Sequence, residues 1–177
     1  YPHCWRSKTP IIFRAVPQFF ISIESFREEA LKEIDKVDWL PSKNRNRIYG
    51  TVEARPDWCI SRQRTWGVPL PIFYDGWGAP LINSETAKQV ADIIEQEGSN
   101  IWFEKSDSWW TEKLGLKSDC TRCGDTLDVW IDSGTSHIAV CDKHPQLHSP
   151  ADLYLEATDQ HRGWFQSSLM ISMVTKG

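Results

Sequence analysis

The segment DLYLEATDQHRGWF, residues 152–165, has the residue types and the spacing of a ligand-binding turn. The apolar run Leu153–Leu155 predicts a short strand, and a helix is predicted to begin around His161. Acidic, hydroxyl and amide side chains lie between them: Glu156, Thr158, Asp159 and Gln160. In an open α/β sheet, ligands bind where the carboxyl end of a strand meets the free N–H groups of the next helix. The alternative is that Thr158 and Asp159 only cap the helix, since both are good N-cap residues.

The run LDVWIDSG, residues 127–134, predicts the wall of a pocket. A strand over Thr126–Ile131 would place Asp128, Trp130 and Asp132 on one face, because side chains alternate along a strand. The opposite face would carry three apolar side chains: Leu127, Val129 and Ile131. A tryptophan flanked by two acids is unusual for a plain core strand and indicates a polar-rimmed pocket.

Three side-chain donors lie between two tryptophans in the run DWCISRQRTWG, residues 57–67. The donors are Arg62, Gln63 and Arg64, and the tryptophans are Trp58 and Trp66. Guanidinium groups stack on aromatic rings and bind phosphates or carboxylates through two parallel hydrogen bonds, which suits contacts with a nucleotide or an RNA end. The sequence alone favours the alternative, a structural cluster of ion pairs and cation–π contacts around a buried turn.

Cys120 and Cys123 have the C-x-x-C spacing of half a zinc ribbon. Structural zinc needs four ligands, usually from two such pairs. The turn 74–80, where a second pair would lie, contains no cysteine or histidine. Cys4 and one histidine would have to complete the set, and the candidates are His3, His144 and His148. Free thiols in an incomplete knuckle are therefore the favoured interpretation.

The number of cysteines bears on the compartment and on catalysis. Five cysteines with a single close pair indicate a reduced, cytoplasmic protein rather than a disulfide scaffold. Cys59 and Cys141 are interpreted as packing residues. A cysteine nucleophile would need a histidine beside it, and nothing in the sequence places His137 or His161 there.

Length and composition predict one globular domain with room for a small insertion. The chain has 177 residues, of which 40% are apolar and 25% charged. The net charge of −4 gives no overall basic footprint, so any contact with nucleic acid would be local. Ten tryptophans exceed what a core of this size needs. No apolar run approaches the roughly 18 residues of a membrane span. Because the first residue is Tyr1 rather than a methionine, we expect a piece of a longer protein.

Besides the helix that begins around His161, four helices are predicted to position these residues. Ser25 and Glu28 have the capping-box spacing. An apolar stripe at helical spacing follows, comprising Phe26, Ala30, Ile34 and Val37. The other predicted helices are Asn44–Glu53, Ser84–Glu97 with Ser84 as its cap and Gly98 as its stop, and Asp107–Leu114.

Short strands are predicted between the helices. They are Pro10–Ile23 with a break at Pro17, Trp58–Ser61, Val68–Tyr74, Ile101–Glu104 and Thr126–Ile131. Turns are predicted over 75–78 and 132–134, and a loop over 141–150. Strands and helices mix in both orders, which predicts an α/β fold with an inserted α+β segment.

Four long blocks carry a family resemblance: YPHCWRSKTPIIFRAVPQFFIS, ARPDWCISRQRTWGVPLPIFY, DTLDVWIDSGTSH and DLYLEATDQHRGWFQSSL. In this order they closely resemble the isoleucyl-tRNA synthetases, which are class I aminoacyl-tRNA synthetases. The blocks span nearly the whole chain and are far more specific than any single short motif. The combination of DVWIDSG with LEATDQHRGWF resembles the isoleucine enzymes more than their valyl and leucyl relatives.

The resemblance implies an α/β fold that forms part of a Rossmann-type catalytic core and follows the editing domain. Residues 1–74 would return from the editing domain into the core. Residues 75–124 would form a small connective insertion with the C-x-x-C knuckle. Residues 125–177 would supply core strands and a helix that carry half of the adenylate site. The HIGH and KMSKS motifs of the family do not occur in this sequence.

The resemblance also implies roles for particular residues in binding isoleucyl-adenylate. Glu156 matches a position that contacts the adenylate. Asp159 and Gln160 match positions near the ribose and the polar end of the amino acid. Trp130 and Trp164 match the walls of the isoleucine side-chain pocket. No residue of this chain matches a catalytic position.

The implied cofactor is ATP with Mg²⁺, and the implied partners are isoleucine and tRNA(Ile), in a monomeric cytoplasmic enzyme without membrane contact. Ser7 stands where the family has a cysteine, so the zinc sites of the family are incomplete here. Ala157 stands where the family usually has a glycine beside the ribose. The isolated chain is expected to be inactive as an isoleucine–tRNA ligase.

A non-catalytic binding module is the alternative function. In that interpretation the arginine-rich segment 55–66 and the Cys120 knuckle with zinc would bind RNA or another partner.

Overall fold

The computed structural model describes residues 1–176, along which short strands and helices are interspersed. The α-helices are α1 (Arg27–Asp35), α2 (Asn44–Glu53), α3 (Ser84–Glu97), α4 (Ile101–Glu104), α5 (Asp107–Leu114), α6 (Val129–Gly134) and α7 (Trp164–Lys176). The strands are β1 (Phe20–Ile21), β2 (Trp58–Cys59), β3 (Ser61–Arg62), β4 (Phe73–Tyr74), β5 (Pro80–Leu81), β6 (Thr121–Arg122) and β7 (Thr126–Leu127). A π-helical turn covers His137–Cys141, and a 3-10 helix covers Thr158–Arg162. Within residues 1–176, no helix combines the length and the apolar character that a membrane crossing requires.

The strands form three small sheets, and every strand pair in the described part of the chain is antiparallel. β1 pairs with β2, β3 pairs with β7, and β4 lies between β5 and β6. The predicted strands 58–61 and 68–74 therefore pair with other segments rather than with each other. The predicted α/β class is confirmed in its coarser form, as a mixture of helices and small sheets.

The first hydrophobic core lies where α1, α2 and α7 pack together against the β1–β2 pair. Ala30 and Ile34 of α1 are buried together, because positions four residues apart share a helix face. Each fully buried large aliphatic side chain stabilises the fold by about 1.5–3 kcal/mol. The other buried members of this core are Ile23, Ile48, Val52, Trp58, Met170 and Ile171. Val37, predicted to continue the stripe, is 52% exposed because α1 ends before it.

The second hydrophobic core is aromatic and lies between α3, α4, α5 and the three-stranded sheet. Trp102 packs 5.3 Å from Phe73 and 5.0 Å from Trp110, measured between ring centroids. Offset and edge-on ring pairs at such distances add about 0.5–1.5 kcal/mol to the burial of their area. Val90 and Ile101 complete the buried set.

Two helix ends differ from the predicted caps. The Ser25 hydroxyl donates to a backbone carbonyl outside α1, and the N-cap residue is Phe26, so the predicted capping box does not form. The N-cap of α3 is Asn83, whose Oδ1 accepts from the backbone N–H of Glu85 at 2.8 Å. Ser84, predicted as the cap, is the first residue inside the helix.

Several predicted strands are wrong or much shorter, and the strand predicted over 68–74 keeps only β4 and an isolated bridge at Pro69. Residues 101–104 are helical, because both Ile101 and Trp102 are buried in the same core, whereas a strand would point them to opposite faces. Residues 153–155 have no strand pairing within the described chain. The predicted strand Pro10–Ile23 is reduced to β1 and an isolated bridge between Pro10 and His3.

Candidate active site

Asp128 explains why the predicted strand 126–131 stops after β7 and becomes helix α6. Its Oδ1 accepts from the backbone N–H of Trp130 at 3.1 Å, which makes it the N-cap of α6. Its Oδ2 accepts from the indole N–H of Trp58 at 2.9 Å and from Arg62 at 2.6 Å. Asp128 is 5% exposed, and all of these donors satisfy its buried charge. The predicted turn 132–134 is consequently part of α6.

Arg62 and Arg55 therefore have structural partners. Arg62 pairs with Asp128 and donates to the carbonyl oxygens of Cys59 and Ser61, each at 2.8 Å. The guanidinium of Arg55 lies 5.1 Å from the centre of the Trp58 ring. These contacts fit the interpretation of a structural cluster. Trp66, the second tryptophan of the run, is 90% exposed and takes no part in a buried turn.

Trp130 lies on α6 and is 42% exposed. It faces a cleft of about 290 Å³, whose wall is completed by Trp58, Arg62, Asp128 and Gly163 among others. A Cβ atom on Gly163 would lie 3.0 Å from Cη2 of Trp130. Glycine at position 163 therefore allows the segment before α7 to approach the Trp130 ring closely.

Trp164 begins α7 and is held by hydrogen bonds and by stacking. Its indole N–H donates to the Ser133 carbonyl at 2.9 Å and to the Ser136 hydroxyl at 3.1 Å. Tyr154 stacks on it with ring centroids 4.1 Å apart and an interplanar angle of 18°. The Tyr154 hydroxyl lies 2.8 Å from that of Ser168, one turn further along α7. The stacked tyrosine and the hydrogen bonds of the indole N–H together fix the orientation of the Trp164 ring.

The polar residues of the predicted turn lie in or near the 3-10 helix, and α7 begins only at Trp164 rather than around His161. Neither Thr158 nor Asp159 caps a helix, since the 3-10 helix has Ala157 at its N-cap without a side-chain hydrogen bond. Gln160 instead accepts the backbone N–H of Trp164 at 2.9 Å through its Oε1.

The two predicted carboxylates, Asp159 and Glu156, differ in their contacts. The amide of Gln160 donates to Asp159 Oδ2 at 3.2 Å, so these two side chains are adjacent. Glu156 is exposed and accepts only from the N–H of Ala157, at 3.0 Å. The structure therefore brings together Trp130, Gln160 and Trp164, with Asp159 beside them, and leaves Glu156 at the surface.

Close helix packing sets the position of Trp130 relative to Trp164. A Cβ atom on Gly134 would lie 3.0 Å from the carbonyl carbon and oxygen of Ser167, so α6 and α7 touch through backbone at this point. Burial raises the pKa of Asp132 on α6, and the neighbouring charge of Asp128 raises it further.

No metal centre is formed by the residues that the structure describes. Among residues 1–176, no three side chains of histidine, cysteine, aspartate or glutamate cluster closely enough to hold an ion. Cys120 and Cys123 are buried, and the Cys123 sulfur lies 3.8 Å from the hydroxyl of Tyr74. Burial, together with the contact with Cys123, raises the pKa of that hydroxyl to about 12. The proposed combination of these cysteines with Cys4 and a histidine for zinc does not fit this arrangement.

Sequence reasoning missed two groups of residues around the site. Tyr154 was interpreted as a strand residue, although its aromatic ring and hydroxyl are what hold Trp164. Arg55 and Gln166 form a partly buried pair in which the guanidinium donates to the amide oxygen, 111 positions away in sequence. A buried partner at such a separation leaves no local pattern that a sequence could show.

The sequence of the chain matches a known class of proteins. The family model for class I tRNA synthetases of the I, L, M and V group matches residues 6–177. The chain therefore belongs to the class I tRNA synthetases.

Individual relatives narrow the comparison. The chain is 55% identical to the isoleucine–tRNA ligase of Methylacidiphilum infernorum, over 100% of this chain and 20% of that protein. It is 55% identical to the isoleucine–tRNA ligase of a Thermoanaerobacter species and 51% identical to that of Geobacter sulfurreducens, with the same two coverages. The chain thus spans about one fifth of the length of these relatives.

Proposed function

We propose that the chain is part of an isoleucine–tRNA ligase, in which it forms one side of the site that binds isoleucyl-adenylate. The observation that carries the proposal is the convergence of Trp130, Gln160 and Trp164 around Gly163. Trp130 lines the cleft beside Gly163, and we infer that Trp164 forms a second aromatic wall next to the amide and carboxylate groups. Overall, such an enzyme would activate isoleucine with ATP and Mg²⁺ and transfer it to tRNA(Ile).

The chemistry of the residues suits this ligand. Aromatic walls such as Trp130 and Trp164 suit a branched aliphatic side chain. A pocket of this kind distinguishes one methylene group by only about 1–3 kcal/mol, a limit for which isoleucine against valine is the standard example. Asp159 and Gln160 offer acceptors for ribose hydroxyls and for the ammonium of the amino acid. Glu156, which is exposed, would contact the adenylate from the open side.

The domain division proposed from the resemblance draws support from the two hydrophobic cores. All members of the aromatic core lie within residues 73–116, close to the proposed insertion 75–124. Segments 1–74 and 125–177 share the other core, which fits a common origin in a Rossmann-type catalytic domain. The antiparallel pairs within residues 1–176 would then be additions to a parallel sheet that the remaining four fifths of such an enzyme complete.

Binding of a non-hydrolysable isoleucyl-adenylate analogue tests the proposed site. We expect the analogue to raise the melting temperature of the 177-residue chain. Trp130→Ala should reduce this shift, because it removes one wall of the pocket. Trp77→Ala is the matched control, since Trp77 is 96% exposed on the hairpin turn between β4 and β5 and does not line the Trp130 cleft. An equal loss in both variants, or no shift with the unmodified chain, contradicts the assignment.

The isolated chain is expected to show no isoleucine-dependent exchange between ATP and pyrophosphate. Activation depends on groups that position and stabilise the phosphates, and this chain represents only about one fifth of the length of its relatives. Exchange above the background of a no-isoleucine control would show that these residues suffice for activation. In a full-length relative, replacing the equivalents of Glu156 and Trp130 by alanine should reduce adenylate formation more than tRNA binding.

A further inference from the structure

A second, larger cleft lies between α2 and the 3-10 helix and has a volume of about 890 Å³. Neither Trp130 nor Trp164 lines it. Three arginines do, namely Arg47, Arg55 and Arg162, against the single carboxylate of Asp159. A cleft with this excess of positive charge, in a chain whose net charge is −4, is a local feature that favours an anionic ligand.

Buried donors at the floor of the cleft lack partners among the described residues. Gln166 is 3% exposed, and its Oε1 accepts from the Arg55 guanidinium. The amide nitrogen of Gln166 and the Nε of Arg55 are both buried without an acceptor in residues 1–176. A buried donor without a partner destabilises a protein by about 1–3 kcal/mol. Two such donors side by side indicate that a ligand supplies the acceptors.

His161 adds a third unpartnered atom to the same cleft. It is 2% exposed, and its Nδ1 lies 2.5 Å from the carbonyl oxygen of Thr158. Because a carbonyl only accepts, Nδ1 must carry the proton of this hydrogen bond. The remaining nitrogen, Nε2, is buried without a partner in the described chain. In the neutral ring this nitrogen is an acceptor, which suits a hydroxyl on the bound ligand, such as that of a singly protonated phosphate.

We propose that this cleft binds a phosphate group, with Arg55 and Gln166 at its floor and Arg47 and Arg162 at its rim. Phosphate oxygens are strong acceptors that match the forked geometry of guanidinium groups. Burial lowers the pKa of Arg55 from its ordinary value, although the charge of Asp128 opposes this. A bound anion would offset that desolvation. This cleft adjoins the Trp130 cleft and shares Arg55, Arg162 and Gln166 with it, so the proposal rests on the proposed function and adds a phosphate subsite to it. The phosphate belongs either to an RNA backbone or to a small phosphate compound.

Gly50 provides a sharp test, because it lies on α2 and lines the cleft. A Cβ atom built on it meets nothing within 4 Å, so a side chain can enter the cleft from this position. Gly50→Glu introduces a carboxylate, and Gly50→Gln introduces a neutral side chain of the same size. Both residues favour a helix more than glycine does, so both variants should fold.

Binding should be measured in two arms with the 177-residue chain. Calorimetric titration with inorganic phosphate and pyrophosphate tests the small ligands, and fluorescence anisotropy of a labelled single-stranded oligoribonucleotide tests RNA. We expect Gly50→Glu to weaken binding by about tenfold or more relative to Gly50→Gln. If only RNA binds, the phosphate is that of a nucleic-acid backbone. If the small ions bind and compete with RNA, the site takes a free phosphate compound.

A second pair of variants tests the rim. Arg162→Glu should weaken binding by about tenfold or more, whereas Arg14→Glu, the same charge change at an exposed position away from the cleft, should leave it within about twofold. In the RNA arm, Arg162→Gln should also reduce the salt dependence by about one unit of slope. The absence of binding in both arms overturns the proposal, as does equal behaviour within either pair of variants. Binding of the isoleucyl-adenylate analogue is measured separately, so its failure does not affect this result.

Discussion

Tyr154 is the residue on which the geometry of the candidate pocket depends most. Its ring covers one face of Trp164, and its hydroxyl lies 2.8 Å from that of Ser168 and 3.4 Å from that of Ser136. Ser136 in turn accepts from the Trp164 indole. The tyrosine therefore links the start of α7 to the segment after α6 by both stacking and hydrogen bonds, and it holds the tryptophan in position.

Replacing Tyr154 separates these two contributions. Tyr154→Phe keeps the stacked ring and removes the hydroxyl, and we expect a loss of about 0.5–1.5 kcal/mol in the free energy of unfolding, with weak effects on analogue binding. Tyr154→Ala also removes the ring and should reduce both stability and the analogue-induced rise in melting temperature. Urea denaturation and thermal shift measure the two quantities. Equal analogue binding by the alanine variant and the unmodified chain would show that Trp164 does not need this support.

Helix ends are the element-scale feature in which the structure departs most clearly from the sequence pattern. Asn83 and Asp128 both cap helices. The sequence pattern instead predicts Ser84 as the cap of α3 and places Asp128 within a strand. An N-cap side chain satisfies a backbone N–H that the helix leaves free. A one-residue error in choosing the cap changes which side chain supplies that stability.

The cap of α3 can be tested directly. Asn83→Ala should lower the free energy of unfolding by about 1 kcal/mol, because the Glu85 N–H loses its acceptor. Ser84→Ala should have little effect, since no side-chain hydrogen bond of Ser84 supports the helix start. Chemical denaturation of both variants gives the comparison. A larger loss for the serine variant would return the cap to the residue that the sequence pattern predicted.

Helices of eight or more residues with clear start or stop signals are predictable from the sequence, and the short elements are not. The bounds of α2, α3 and α5 agree with prediction, since their apolar spacing and stop signals are local. The run 126–131 alternates like a strand, but three donors converge on Asp128 from Trp58, Arg62 and Trp130 and make it a helix cap. These contacts join segments up to 70 positions apart, which a local pattern does not report.

The sequence predicts some residues of the candidate site but not the residues that support them. The tryptophans at 130 and 164 and the amide at 160 were identified by resemblance, and the structure places them together. Their supports were not identified, because Gly163 and Gly134 act by allowing close approach of distant atoms. The basic cleft was missed for a related reason. Its arginines lie on two segments more than 100 residues apart in sequence, and the net charge of the chain hides them.

At the scale of the whole molecule, the packing of α6, the π-helical turn and α7 buries His137, which is 8% exposed. Burial lowers the pKa of its imidazole, and the charge of Lys176 at the end of α7 lowers it further. The Gly134 carbonyl and Asp142 oppose the shift without reversing it. Lys176 also donates to Asp142 at 3.0 Å and lowers the pKa of that exposed carboxyl.

These shifts predict how stability depends on pH. A histidine whose pKa is lower in the folded state binds its proton first in the unfolded chain, so the stability present above its unfolded pKa, about 6.5, is lost as the pH falls below it. Asp132, whose pKa is raised by burial, contributes with the opposite sign. Between roughly pH 7.5 and 5.5 His137 should set the change in stability, because the ordinary pKa of a histidine lies in this range and that of an aspartate lies below it.

We expect the urea midpoint of the unmodified chain to fall from pH 7.5 to 5.5, and the fall to be smaller in His137→Gln, which cannot take up a proton in this range. His144→Gln is the matched control, because His144 is exposed and should leave the slope unchanged. Raising the ionic strength should weaken the contribution of Lys176 to this pH dependence, since salt screens exposed charges. The contribution from burial of the imidazole should remain. An identical pH dependence in His137→Gln and His144→Gln would mean that the buried imidazole does not set the acid stability of the fold.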